Sequence, residues 1–137
     1  MEISFSLPHV FNPLSSSVED TEALKVLLDT LIKLNVSYDR RYHPLPLYKA
    51  GVIYGRTTVW DTVPALYARK YGDCKSLSAA LIAEYLVKGI PALPMFRFKK
   101  RKDGGSDWHI LVLVDGTRFE DPSSILGMNK DELKHFR

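Results

Sequence analysis

Apolar residues recur along this chain with two different periods, and the change of period divides it. From about Glu19 to Leu34, the positions Ala23, Leu24, Leu27, Leu28, Leu31 and Leu34 fall three and four residues apart, which predicts a helix with one buried stripe. Ser17 and Asp20 ahead of it resemble a capping box with aspartate in the glutamate position. A second helical run covers about 74–88, with Leu77, Ala80, Leu81, Tyr85 and Lys88 at the same spacing, and Gly89 and Pro91 end it. Beyond that point the pattern turns extended. Leu93 to Phe98 predicts one strand, and Trp108 to Val114, rich in branched side chains, predicts another. Asp115-Gly116 is a favoured two-residue hairpin turn into a third strand over 117–120, which Asp121-Pro122-Ser123 terminates. A short helix is expected over 129–136.

The other stretches are less regular. Ile3, Phe5 and Leu7 alternate as in an edge strand, followed by irregular chain. Residues 35–50 mix aromatic side chains, arginines and two prolines, which argues against a continued helix; Val36 and Tyr38 read as the start of an extended segment. Leu47 to Tyr54 reads as another, interrupted at Ala50-Gly51. Pro64 is placed to open a short helix through Ala68. Helices first and an antiparallel sheet second make an α+β pattern. At 137 residues the chain suits a single domain, 1–137, because two halves would each have an undersized core.

Composition narrows the function classes. With one cysteine there is no intramolecular disulfide. The N-terminus lacks a basic run followed by an apolar core, and no apolar run approaches the ~18 residues of a membrane span. The expectation is a protein of the cytoplasm or one carried within a virion, with no membrane partner. The net charge of +3 is a mild excess. Much of it comes from Arg97, Lys99, Lys100, Arg101 and Lys102, read as a solvated hairpin loop rather than a phosphate-binding surface, because no aromatic platform or nucleic-acid motif accompanies it. There is no glycine-rich phosphate loop and no dinucleotide fingerprint, so no cofactor is expected. A zinc site has only three converging ligands to offer, with no HExxH and no paired Cys-x-x-Cys.

Chemistry concentrates at Tyr71-Gly72-Asp73-Cys74-Lys75-Ser76, the head of the second helix. Gly72 permits close backbone approach, and Asp73 is placed as an N-cap. Cys74 then lies in the first turn, where unsatisfied N–H groups and the helix dipole favour a thiolate. His109 is the unexpected polar residue in the strongest strand. Inside a sheet its imidazole needs a partner at each ring nitrogen or an opening onto a cleft. Across the hairpin, pairing 114 with 117 brings 109 near 122 and sets Asp121 diagonal to His109. A Cys-His-Asp relay would let Cys74 attack an acyl carbon, His109 take and return the proton, and Asp121 orient the imidazole. The oxyanion requires donors. The Cys74 backbone N–H is one, and Trp60 or Tyr67 stands as the second.

Three segments, GDCKSLSAALIAEYLVKGIPA (72–92), WHILVLVDG (108–116) and FEDPS (119–123), together resemble the transglutaminase-like branch of the papain-like cysteine enzymes over about residues 56–127. The resemblance implies a core helix opened by the Gly-x-Cys turn and packed on an antiparallel sheet. It also implies Cys74 as nucleophile, His109 as base and Asp121 as third member, with Gly72, Asp73 and Trp108 in support. The implied activity is acyl transfer from a protein or peptide amide through a thioester, ending in hydrolysis or transamidation. Some relatives of this kind are inactive modules for binding or assembly, and small stand-alone ones occur in bacteria and their phages, so an assembly partner is the other expectation.

Overall fold

The computed structural model describes residues 3–6, 18–100, 102 and 106–128. The expected helix over 129–136 and Ser17 of the expected capping box lie outside them. The fold is mixed α and β. Strand β1 (Ser4–Ser6) precedes helix α1 (Val18–Tyr42), a 3₁₀ turn (Leu47–Lys49), β2 (Ile53–Tyr54), β3 (Val59–Asp61) and α2 (Val63–Arg69). Then come β4 (Tyr71–Gly72), α3 (Cys74–Val87), β5 (Ala92–Lys100), β6 (Ser106–Val114), β7 (Arg118–Glu120) and α4 (Pro122–Ile125).

Helix α3 is the centre of the molecule. Ser76 to Ala83 are all buried, so the helix is covered on every side, by α1 on one flank and by the sheet on another. Its small residues Ala79, Ala80 and Ala83 allow that close approach. Asp73 caps it, accepting the Lys75 N–H at 3.2 Å, and Gly89 at φ +80° follows its end. One apolar cluster joins Leu24, Leu28 and Leu31 of α1 to Leu77, Leu81 and Ile82 of α3 and to Ile110, Val112 and Val114 of β6.

Helix α1 is longer than the apolar stripe predicts, reaching Tyr42. The prolines at 44 and 46 stop it only after the whole 35–42 segment has turned. The buried stripe continues through Asn35 and Asp39, both polar and both at most 5% exposed, so periodicity in apolar residues alone ends too early. Asn35 Oδ1 accepts the Val63 N–H at 2.8 Å, which docks the start of α2 onto α1, while its Nδ2 is buried without a hydrogen-bond partner.

The main sheet runs β5-β6-β7, antiparallel throughout. Strands β5 and β6 are longer than expected, so Arg97, Lys99 and Lys100 stand on β5 rather than in a loop. The expected edge strand near the N-terminus is β1, paired with β3. Separately, a parallel pairing of β2 with β4 sets Tyr54 opposite Gly72. Gly72 has no room for a side chain: a Cβ there would sit 2.6 Å from Leu66 Cδ1. Among the described residues, no helix is long and apolar enough to cross a membrane.

Candidate functional site

The hairpin register differs by one residue from the expected one. Asp115 (φ +53°) and Gly116 (φ +65°) do form the tight turn, and Thr117 N–H reaches Val114 O at 3.1 Å, but Thr117 is then added to the loop. Val114 pairs with Arg118, Leu113 with Phe119 and Val112 with Glu120. The slip matters because side chains alternate across a strand. In the expected register Asp121 would have stood opposite Ile110, on the wrong face. In the observed one it follows on opposite Leu111, two positions from His109 on the same face.

His109 Nε2 and Asp121 Oδ2 lie 2.6 Å apart, with the imidazole 4% exposed. Asp121 is held from its other oxygen: Oδ1 accepts the N–H groups of Ser123 (3.1 Å) and Ser124 (3.3 Å), capping the short helix α4. The Asp-Pro-Ser sequence thus opens a short helix where a simple strand end is expected. Glu120, the residue before, fixes the end of β7. It accepts from Tyr48 Oη (2.6 Å), Tyr85 Oη (2.5 Å) and Arg118 (2.8 Å). Burial alone would raise the Glu120 pKa, but these three donors outweigh it and hold the carboxyl below its usual range.

Cys74 is the first residue of α3 and is partly exposed. Helix α3 packs on β6, and the Ile110 backbone reaches the Cys74 sulfur. One turn further along α3, Ser78 Oγ donates to Ile110 O at 3.0 Å. A serine one helical turn after the cysteine therefore anchors the helix to the strand residue beside His109. The sequence carried the i, i+4 spacing of Cys74 and Ser78, although nothing in the strand marked Ile110 as their partner.

Cys74 and His109 line one cavity of about 480 Å³, with Tyr54, Arg56, Thr57, Thr58, Asp73, Trp108 and Met128. Trp108 packs edge-on against Phe98, ring centroids 5.6 Å apart. The oxyanion candidates fall elsewhere. Tyr67 Oη donates to Leu45 O at 2.7 Å, and Trp60 is buried in the core beneath the Lys75 ammonium; neither lines the cavity. The Cys74 N–H, in the first helical turn, has no intrahelical acceptor.

The electrostatics depart from the expectation of a depressed thiol pKa. Burial, then the Asp73 carboxylate, pushes the Cys74 thiol up from 9.0 to about 12; a backbone hydrogen bond from Ile110 and the charge of Lys75 pull the other way and lose. The N-cap explains part of this. Asp73 places its own charge at the helix N-terminus, where a thiolate would otherwise have had the dipole to itself. Burial also raises the Asp73 pKa, against the opposing pull of Lys75. Lys75 Nζ contacts Asp73 Oδ2 and donates to Thr57 O at 2.9 Å, tying the helix start to the cavity wall. Among the described residues, no three His, Cys, Asp or Glu side chains are grouped to hold a metal ion.

No protein-family model, curated protein or solved structure matches this chain.

Proposed function

We propose that the chain is a cysteine-dependent acyl-transfer enzyme acting on an amide of a protein or peptide, with a transglutaminase-like core. The observation that carries the reading is the 2.6 Å pairing of His109 Nε2 with Asp121, on a histidine that shares a cavity with Cys74. With Nε2 given to the carboxylate, Nδ1 is the nitrogen that serves the sulfur. A thiol at about 12 is five units above pH 7, so forming the free thiolate first would cost about 7 kcal/mol. Attack therefore goes with transfer of the thiol proton to His109 Nδ1. The Cys74 sulfur bonds to the acyl carbon, the imidazolium returns its proton to the departing amine, and a thioester remains. Water or a second amine, deprotonated by the same imidazole, then releases the acyl group. A cavity of about 480 Å³ admits one side chain or a short peptide segment.

The test is hydroxamate formation from amide donors with hydroxylamine as acceptor. The reading expects product with the parent chain and none with C74A or H109A; equal background in all three would refute it. The second reading is an inactive module that binds or assembles, as in a phage particle. The observation favouring it is the raised pKa of the Cys74 thiol, which disfavours a resting thiolate. That reading expects no covalent adduct under any acyl donor, with the cavity serving only as a binding surface.

A further inference from the structure

A second cavity, of about 170 Å³, opens away from Cys74, between the C-terminal turns of α1 and α3. It is lined by Asp39, His43, Pro44, Pro46, Glu84, Val87 and Lys88. Two carboxylates meet there. Glu84 is held in place by the Leu47 N–H, which donates to its Oε1. Asp39 is 5% exposed, and its Oδ1 is buried with no hydrogen-bond partner. An unpartnered buried carboxylate oxygen is expensive to maintain, and here it stands where two helices point their negative ends. The cations of α1's last turn do not answer it: Arg40 and Arg41 line a separate groove with Lys33. The rest of the wall is apolar, formed by two proline rings and Val87. An anionic end and an apolar sleeve together match an alkyl chain with a positive head, whereas the donor grouping a metal ion requires is lacking among the described residues.

We propose that this cavity binds a small aliphatic primary amine, its ammonium group between Asp39 and Glu84 and its methylenes against Pro44, Pro46 and Val87. The site is independent of the thiol chemistry. Burial, then the Glu84 charge, pushes the Asp39 carboxyl up to about 7, so a proton competes with the ammonium. Burial, then the charges of Glu84 and Asp39, raises the pKa of the Tyr67 hydroxyl beside the same cluster, His43 lines the cavity, and the Lys88 ammonium on its rim acts on Glu84. Binding is therefore stronger at pH 8 than at pH 6, by about tenfold from the ionised fraction of Asp39 alone.

The test is an amide-resolved NMR titration of the full chain with n-butylammonium chloride at pH 8, against sodium chloride at equal ionic strength. A parallel titration with N-acetyl-lysine methylamide separates a free amine from a lysine side chain of a partner. Saturable shifts confined to residues 39–47 and 84–88, weakened at least tenfold in D39N and also in E84Q, are expected with butylammonium. A response only to the lysine derivative reassigns the occupant to a protein partner and overturns the small-amine proposal. Shifts that sodium reproduces, or a D39N chain that titrates like the parent, also overturn it.

Discussion

The alkylation rate of Cys74 follows from its surroundings and is measurable without knowing a substrate. Raising the thiol from 9.0 to about 12 lowers its ionised fraction at pH 7 a thousandfold. The more basic thiolate is the better nucleophile, and a Brønsted coefficient of about 0.4–0.5 restores roughly 20- to 30-fold over three units. The net expectation is that Cys74 reacts with iodoacetamide some 30- to 60-fold more slowly than a free thiol of ordinary pKa, on the order set by those two effects. The assay is intact-mass measurement of the second-order rate from pH 6 to pH 10, beside N-acetylcysteine amide. The rate should climb in proportion to hydroxide across the range, with no plateau below pH 9. Removing the Asp73 charge in D73N, which keeps a capping oxygen, should speed labelling by roughly 3- to 10-fold at each pH. A plateau below pH 8, or labelling at pH 6–7 faster than the free thiol, would refute the reasoning and establish a resting thiolate–imidazolium pair.

Other expectations concern stability. Asp39 is protonated in the folded chain and ionised in the unfolded chain between pH 4 and pH 7, so its contribution to stability falls as pH rises through that window and is flat above it. Urea unfolding should find D39N no more stable than the parent at pH 4 but about 1–3 kcal/mol more stable at pH 8, a fraction of the full linkage because Glu84 shares the strain. Ala at position 72 would drive its Cβ into Leu66, which is fully buried and cannot yield, so G72A should lose about 1–3 kcal/mol by thermal or urea melts. D121A loses both the α4 cap and the partner of His109 and should cost about 1–3 kcal/mol, whereas D121N keeps the cap and should cost less than half as much; equal losses would contradict the assignment of the cap to Oδ1.

Much of this arrangement is legible in the chain because the determinants are local. Asp73 beside Gly72 marks the start of α3, and Gly89 with Pro91 marks its end. The branched run after His109 is a strand by composition alone. What the chain conceals is set by distant partners. Helix α1 continues past Leu34 because Asn35 and Asp39 take core positions, and only the Val63 N–H explains the asparagine. Whether Thr117 belongs to the ladder or the loop is a choice of one residue. That choice decides which face Asp121 takes, and the Asp-Gly turn is compatible with either. The thiol's environment was hidden in part for the same reason: helix position argued for a thiolate, while burial in the folded chain, with the charge of the adjacent Asp73, outweighs it.

The most direct test of the central claim is the covalent one. Parent, C74A and H109A chains are incubated with p-nitrophenyl acetate and quenched in acid, and the acylated residue is located by peptide mapping. The account predicts one acetyl group per parent chain, on Cys74, absent from C74A and slowed at least a hundredfold in H109A. Acetylation spread over lysines with Cys74 untouched, or equal acylation of Cys74 with and without the imidazole, would contradict it.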